Sequence, residues 1–289
     1  MLLAESNSPF VDFWNTTLTP KWIRFRPLLS GNGAIHSDRA WPRIGIRRGQ
    51  RVLDVGCGFG ETCLELADMV GPEGEVLGLD CTRAFLAIAE TEREEAGAAH
   101  VRYELGDIEE ADLPRDHFDV AFSRFGTMFC ASPVRALRTM ERALAPGGRV
   151  HMLAWRTIRD NPCWGEAEAI ALSHLPAPSD DADTCGPGPF SMADPETVTR
   201  MLEAASLEGA TFHRIDAELC IGRTLDEAVE YMMLVGPAGF VIREAKEAAD
   251  AVLDTIVEEM RARFRRARRA DGSVWMPSST WLISASKAS

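Results

Sequence analysis

This sequence predicts an α/β fold around a doubly wound, mostly parallel sheet, and three observations predict it. Residues 51–60, RVLDVGCGFG, pass from a short apolar run through alternating glycines into a helical pattern at Glu61. Strand-like runs begin near residues 52, 76, 101, 119 and 149, with helical patterns between them, the rhythm of parallel strands joined by helices. Aspartates and glycines fall at the ends of these runs, where sheets of this kind bind ligands.

The first strand is Val52, Leu53, Asp54 and Val55. Gly56, Gly58 and Gly60 follow it, and glycine lets backbone amides approach a ligand where a side chain would block it. Their spacing is G-x-G-x-G, not the G-x-G-x-x-G that places a pyrophosphate on a helix N-terminus. Asp54 and Glu61 flank the turn. Two carboxylates there disfavour a pyrophosphate and suit a ligand carrying an ammonium and a sulfonium.

The second strand, residues 76–79, closes in Asp80, twenty positions beyond Gly60. That is the usual offset for an acid that grips a ribose diol. A third, near Val101–Leu105, ends in Gly106-Asp107-Ile108, where a carboxylate is placed to accept from an adenine amino group. The fourth runs over Asp119–Ser123, and the fifth over Arg149–Ala154 after the turn Ala145-Pro146-Gly147-Gly148.

Residues 1–50 are aromatic, with Phe10, Phe13, Trp14, Trp22, Phe25 and Trp41, and are read as a helical segment. It either covers the mouth of the ligand site or straps the flank of the sheet. Beyond the fifth strand, a helix opens at Pro162 and reaches about Leu175. Residues 176–191, dense in Pro, Gly, Ser and Asp, read as a flexible connection. A helix from Asp194 to about Ala205, a strand around Thr211–Cys220 and helices over Leu225–Arg269 follow, broken near Gly236-Pro237-Ala238-Gly239. Ser279–Ala285 reads as a closing strand. The division is a cap segment over 1–50 and a ligand-binding domain over 51–289, with helical insertions at about 156–193 and 224–270.

Composition excludes some functions. The 289 residues carry a net charge of −13, which argues against a polyanionic partner, because phosphate contacts need Lys and Arg. The expected partner is a small molecule rather than nucleic acid or membrane, with the chain a monomer or homodimer. Seven cysteines without C-x-x-C spacing suggest reduced thiols in a cytoplasmic enzyme and no metal site. MLLAESNSPF has no signal-peptide pattern, and no apolar run approaches the ~20 residues of a membrane span.

The segments LDVGCGFG, GLD, GD-I, FDVAFSRFG and LAPGG, in this order, resemble motifs I to V of class I S-adenosylmethionine (SAM) methyltransferases, notably small-molecule enzymes of the ubiquinone/menaquinone-biosynthesis type. The resemblance covers about residues 50–155. It implies a Rossmann-like, seven-stranded sheet with an antiparallel last strand and helical cap insertions. It further implies SAM as cofactor, held by Asp54, Gly56, Cys57, Gly58, Gly60, Asp80, Cys81, Gly106, Asp107, Ile108, Ser123, Arg124 and Phe125. Trp22 joins this set because a Trp near its position often lies close to the cofactor in that family. Met128, Phe129, Trp155 and Trp164 are expected to line the acceptor pocket, with Met232 and Met233 as further candidates.

No base stands out. Related natural-product O-methyltransferases often carry a histidine after the fourth strand, where this chain has Phe125-Gly126-Thr127-Met128-Phe129. His36 is the leading candidate; His151, His174 and Glu166 read as structural or solvated. The basic run Arg261–Arg269 reads as helix-terminal charge paired with Glu258 and Glu259. Catalysis is therefore expected mainly by in-line positioning, which alone can be worth roughly 7–11 kcal/mol. Two other readings stay open: a SAM- or partner-binding module without turnover, and a nicotinamide-dependent oxidoreductase, which the glycine spacing disfavours.

Overall fold

The computed structural model describes residues 9–179 and 187–289. The opening residues, read above for a leader, and residues 180–186 of the proline- and glycine-rich connection lie outside the described residues. The sheet contains β1 (Arg51–Val55), β2 (Glu75–Asp80), β3 (Val101–Leu105), β4 (Phe118–Arg124), β5 (Leu144–Trp155), β6 (Leu207–Gly222) and β7 (Val274–Lys287). Their order is β3-β2-β1-β4-β5-β7-β6; β1 to β5 pair in parallel, and β7 is antiparallel to both neighbours. This is the predicted sheet.

β1 is an interior strand, beside the central β4. Val52 pairs with Val76 on one side and Val120 on the other, and residues 52–55 are all buried. A strand covered on both faces reads as a continuous apolar run rather than an alternation. The chain builds β2 and β3 on one side of β1 and then crosses to β4 on the other. The reversal opens a crevice at the carboxyl ends of β1 and β4.

Ahead of β1 come α1 (Pro9–Phe13), a π-helical turn over Trp14–Leu18, α2 (Thr19–Arg24) and α3 (Arg26–Ile44). α3 shares one face of the sheet with α4 (Glu61–Val70) and α5 (Arg83–Glu95), where Ala40, Ile44, Leu66, Val70 and Leu86 are buried together. The opposite face is covered by α6 (Pro133–Ala143), through Leu137 and Met140. α7 (Pro162–His174) lies across the sheet's carboxyl end, and α8 (Pro195–Ala204) packs beside α6 and β6. Asp194 caps α8 by accepting the Thr197 amide at 3.0 Å.

The helical stretch expected over 225–269 is divided into α9 (Leu225–Leu234), α10 (Gly236–Ala245), α11 (Glu247–Asp250) and α12 (Leu253–Phe264). Gly236 at φ +80° makes the first break, and Lys246 at φ +49° the next. β6 and β7 outrun their expected limits because they pair with each other from Leu207↔Lys287 to Gly222↔Val274. Within β6 only Ile215, Ala217, Leu219 and Ile221 form a buried alternation, which marks the middle of the ladder and not its ends. The basic run is paired more widely than expected: Arg261 meets Asp226 as well as Glu258, Arg263 meets Glu166, and Arg269 meets Glu218.

Candidate active site

A cavity of about 510 Å³ opens at the carboxyl ends of β1 to β5. Its floor is the turn after β1. Gly56, Gly58 and Gly60 all adopt positive φ, at +70°, +57° and +83°. A Cβ on Gly56 would come within 3.0 Å of Gly126 Cα, whereas one on Gly58 would project into open space. The glycines therefore let two loops close together and keep side chains off the cavity floor, while the Gly56 and Cys57 amides donate to the Leu79 carbonyl at 2.8 and 3.2 Å.

Asp80 fixes this turn. Its Oδ2 accepts the Gly58 amide at 2.8 Å and its Oδ1 the Thr82 amide at 2.8 Å. Burial raises the pKa of the carboxyl, and the amide bonds oppose that rise. Asp107, at the end of β3, accepts the Glu109 amide at 2.9 Å and also lines the cavity. Trp22, Cys57, Cys81, Gly106, Ile108, Arg124 and Phe125 line it as well, as do Met128, Phe129, Trp155 and Trp164. Burial pushes Cys57 up to about 11 and Cys81 up to about 12, so both remain neutral thiols with little nucleophilicity.

Several expected residues lie beneath the lining rather than in it. Asp54 is fully buried, accepting from the Thr62 hydroxyl and, at 3.2 Å, from the Cys63 thiol. Its charge therefore does not face a ligand as the sequence reading supposed. Gly60 is needed for packing: a Cβ there would collide with the Tyr103 hydroxyl and with Ala89. The Ser123 hydroxyl donates to the Val55 carbonyl at 2.8 Å, tying β4 to the end of β1. Met232 and Met233 belong to the hydrophobic core instead. Glu61 does line the cavity, but Arg26 and Ser30 both donate to its Oε1.

His36 is also absent from the lining. It is fully buried between α3 and β7, with Nε2 3.1 Å from the Ser278 hydroxyl and Nδ1 3.2 Å from the Thr280 hydroxyl. Ser278 already donates to the Ala217 carbonyl, so Nε2–H donates to Ser278 and Nδ1 accepts from Thr280. A neutral ring satisfies both contacts. Burial lowers its pKa to about 3. Behind the lining, His36 packs edge-on against Phe125 and Trp155, which are themselves stacked at 4.4 Å.

The far half of the cavity combines the aromatic N-terminal segment, one expectation for which was to cover the mouth, with helices that no sequence motif marked. Phe10, Phe13 and Trp14 close it from the N-terminal segment, and Tyr231, Pro237, Phe240 and Arg243 enter from α9 and α10. Trp14 stacks edge-on with both Trp22 and Phe129, and the Asn15 amide donates to the Cys81 carbonyl at 3.0 Å. From α7, Trp164 and Glu168 project one turn apart. Helical spacing of i and i+4 was the available signal for Glu168.

A family model described as Methyltransferase domain matches residues 46–206, more than half of the chain. The chain belongs to that family. It is 32% identical over 198 residues to the ubiquinone/menaquinone biosynthesis C-methyltransferase UbiE of Azotobacter vinelandii, covering 64% of this chain and 77% of that protein. It is 29% identical over 213 residues to the 2-phytyl-1,4-naphtoquinone methyltransferase of Synechococcus elongatus, covering 72% and 86%. The YcgJ protein of Bacillus subtilis shares the fold at a TM-score of 0.56 and 20% identity, over 85% of this chain and 94% of that one. So does Haemonchus contortus phosphoethanolamine N-methyltransferase 2, solved with SAM, at 0.57 and 17%, over 98% and 61%. This chain is a SAM-dependent methyltransferase of small molecules.

The residues present fit that cofactor. A glycine cradle that keeps side chains out of the cavity, a fixed carboxylate at the end of β2 and a second just beyond β3 offer room for its methionine part and partners for its ribose and adenine. Bound SAM supplies an electrophilic methyl group, so the protein's task is to hold an acceptor in line with it and to keep water away.

Proposed function

We propose that the cavity is divided: the strand-end half holds SAM, and the aromatic half holds an apolar, ring-bearing acceptor. In this assignment the glycine turn Gly56–Gly58 borders the methionine part, Asp80 binds the ribose hydroxyls, and Asp107 and Ile108 border the adenine. Trp22 and Phe129 stand near the junction. Met128, Trp155 and Trp164 wall the acceptor half, and the stacked Phe125–Trp155 pair separates it from the core. The observation that carries the reading is the change of lining along one continuous cavity, from glycines and carboxylates to aromatic side chains.

The names of the curated relatives support a quinone- or quinol-like acceptor, and the flat aromatic walls suit a flat ring. Such an acceptor makes positioning the main source of acceleration, and His36, away from the cavity, is left out of the chemistry. The six described cysteines carry free thiols, which supports an enzyme working in a reducing compartment such as the cytoplasm. Among the described residues no helix is long and apolar enough to cross a membrane.

Calorimetric titration with S-adenosylhomocysteine (SAH), followed by transfer of radiolabelled methyl from SAM to 1,4-naphthoquinol, tests the division. The wild type should bind SAH and not NADH. Trp164→Ala should leave SAH affinity within twofold and raise the KM for the quinol at least tenfold. A Trp164→Ala protein with weakened SAH binding and an unchanged quinol KM would overturn the assignment.

A further inference from the structure

The cap helices contribute two charged side chains to the lining among the described residues, Glu168 from α7 and Arg243 from α10. Their situations differ. The Arg243 guanidinium lies over the rings of Phe13 and Phe240, at 4.9 and 5.0 Å, and donates to Glu244 at 3.0 Å. Glu168 is half-buried in an apolar setting, and no described residue hydrogen-bonds to it or pairs with it. Two residues earlier on the same helix, Glu166 is engaged by Arg263. A half-buried carboxylate with no protein partner keeps its acceptor positions open toward the cavity, and such partly desolvated groups cluster where a ligand completes them.

We propose that Glu168 is a catalytic residue that recognises the acceptor through an O–H group and takes its proton during methyl transfer. The inference rests on the division of the cavity proposed above, and it narrows the acceptor to neutral ring compounds bearing a hydroxyl. Phenols and hydroquinones fit; ring carboxylates do not, because a second anion would face Glu168 across an apolar gap.

The chemistry balances without another reactant. The acceptor O–H bond breaks, its proton passes to the Glu168 carboxylate, and the electron pair stays on the acceptor. That pair makes the new bond to the methyl carbon, either at oxygen or, relayed through the ring, at a carbon ortho or para to it. The pair of the breaking S–C bond leaves with sulfur. For a carbon acceptor the ring hydrogen then departs as a proton and aromaticity returns. Glu168 releases its proton to solvent between turnovers. Because a phenolate spreads its charge over the ring, the base can act at the oxygen without standing beside the methyl group. Burial raises the Glu168 carboxyl above its usual pKa, which makes it a stronger base than an exposed carboxylate.

The test uses the full chain loaded with SAH, titrated with 1-naphthol, 1-methoxynaphthalene and 1-naphthoate, for the wild type and Glu168→Leu. The wild type should bind 1-naphthol at least tenfold more tightly than either of the others. Glu168→Leu should erase the preference over the methoxy compound and keep its SAH affinity. With 1,4-naphthoquinol as methyl acceptor, Glu168→Gln should lower kcat by about 10²-fold or more, the scale of a lost general base. Equal wild-type affinity for 1-naphthol and 1-methoxynaphthalene, preference for 1-naphthoate, or no binding of any of the three overturns the role of Glu168. An unaltered kcat in Glu168→Gln overturns it as well. Failure to bind SAH at all would instead overturn the division of the cavity, so the two failures are distinguishable.

Discussion

Asp80→Ala should weaken cofactor binding at least tenfold, and the size follows from what its carboxylate holds. Each oxygen already accepts one backbone amide, from Gly58 and Thr82, both at 2.8 Å. An ionised carboxylate has about four acceptor positions, and the Thr82 hydroxyl also hydrogen-bonds to this one, so about one remains for the cavity. A hydrogen bond to a charged group contributes roughly 1.5–3 kcal/mol. Losing one such bond to a ribose hydroxyl therefore raises Kd by roughly ten- to a hundredfold. Removing the carboxylate also strips the acceptor from the amide of the buried Thr82, at a cost of about 1–3 kcal/mol of stability. Asp80→Asn separates the two effects, since it keeps the shape and one amide bond while losing the charge; it should fall between the wild type and Asp80→Ala. The assay is calorimetric titration with SAM and with SAH at a temperature where every variant is folded. Both ligands share the ribose and should weaken by similar factors. A folded Asp80→Ala protein whose Kd stays within twofold of the wild type refutes the reasoning.

His36→Ala should cost about 2–4 kcal/mol of stability, because it empties a buried site and removes two buried hydrogen bonds, yet lower kcat less than tenfold. Denaturant melts and steady-state rates check this, and a 10³-fold fall in kcat would place His36 in the chemistry. Phe129→Ala removes the ring against which Trp14 packs, and should lower kcat on 1,4-naphthoquinol more than His36→Ala does. Asp54 carries a pH signature, since burial raises it from 3.8 to about 6. Below pH ~4 its carboxyl is neutral both folded and unfolded. Above about 6 it is charged in both, and the folded state bears a burial cost on the order of 3 kcal/mol. The stability that Asp54 lends is thus lost as pH rises from about 4 to about 6. Asp54→Asn should flatten that fall, seen as a Tm difference between variant and wild type that grows over this interval; a difference independent of pH would contradict it.

What the sequence disclosed and what it hid divide along the range of the interactions. The β-rhythm and the strand-end motifs are local, and they led directly to the sheet, to Asp80 and to the glycine turn. Asp54 carries the same chemistry a few residues away and reads the same way, yet the pleat turns it beneath α4, onto Thr62 and Cys63. A carboxylate beside a glycine run is thus an ambiguous sign unless it is the strand's last residue, as Asp80 is. Helix phase could have removed His36 in advance. Asn32, His36, Ala40 and Ile44 recur every four residues and all are buried, so His36 shares the inward stripe of α3. In the acceptor half the family motifs marked Met128, Phe129, Trp155 and Trp164, whereas Tyr231, Phe240 and Arg243 had no such signal, because the N-terminal segment, α7, α9 and α10 meet there only through tertiary packing. Glu166 and Glu168 show the consequence. Two residues apart on a helix, they point about 200° away from each other. A sequence with two glutamates on one predicted helix leaves open which of them serves the site. The burial of Trp164 fixes the phase of α7, placing Glu168, one turn further on, at the cavity and leaving Glu166 to Arg263.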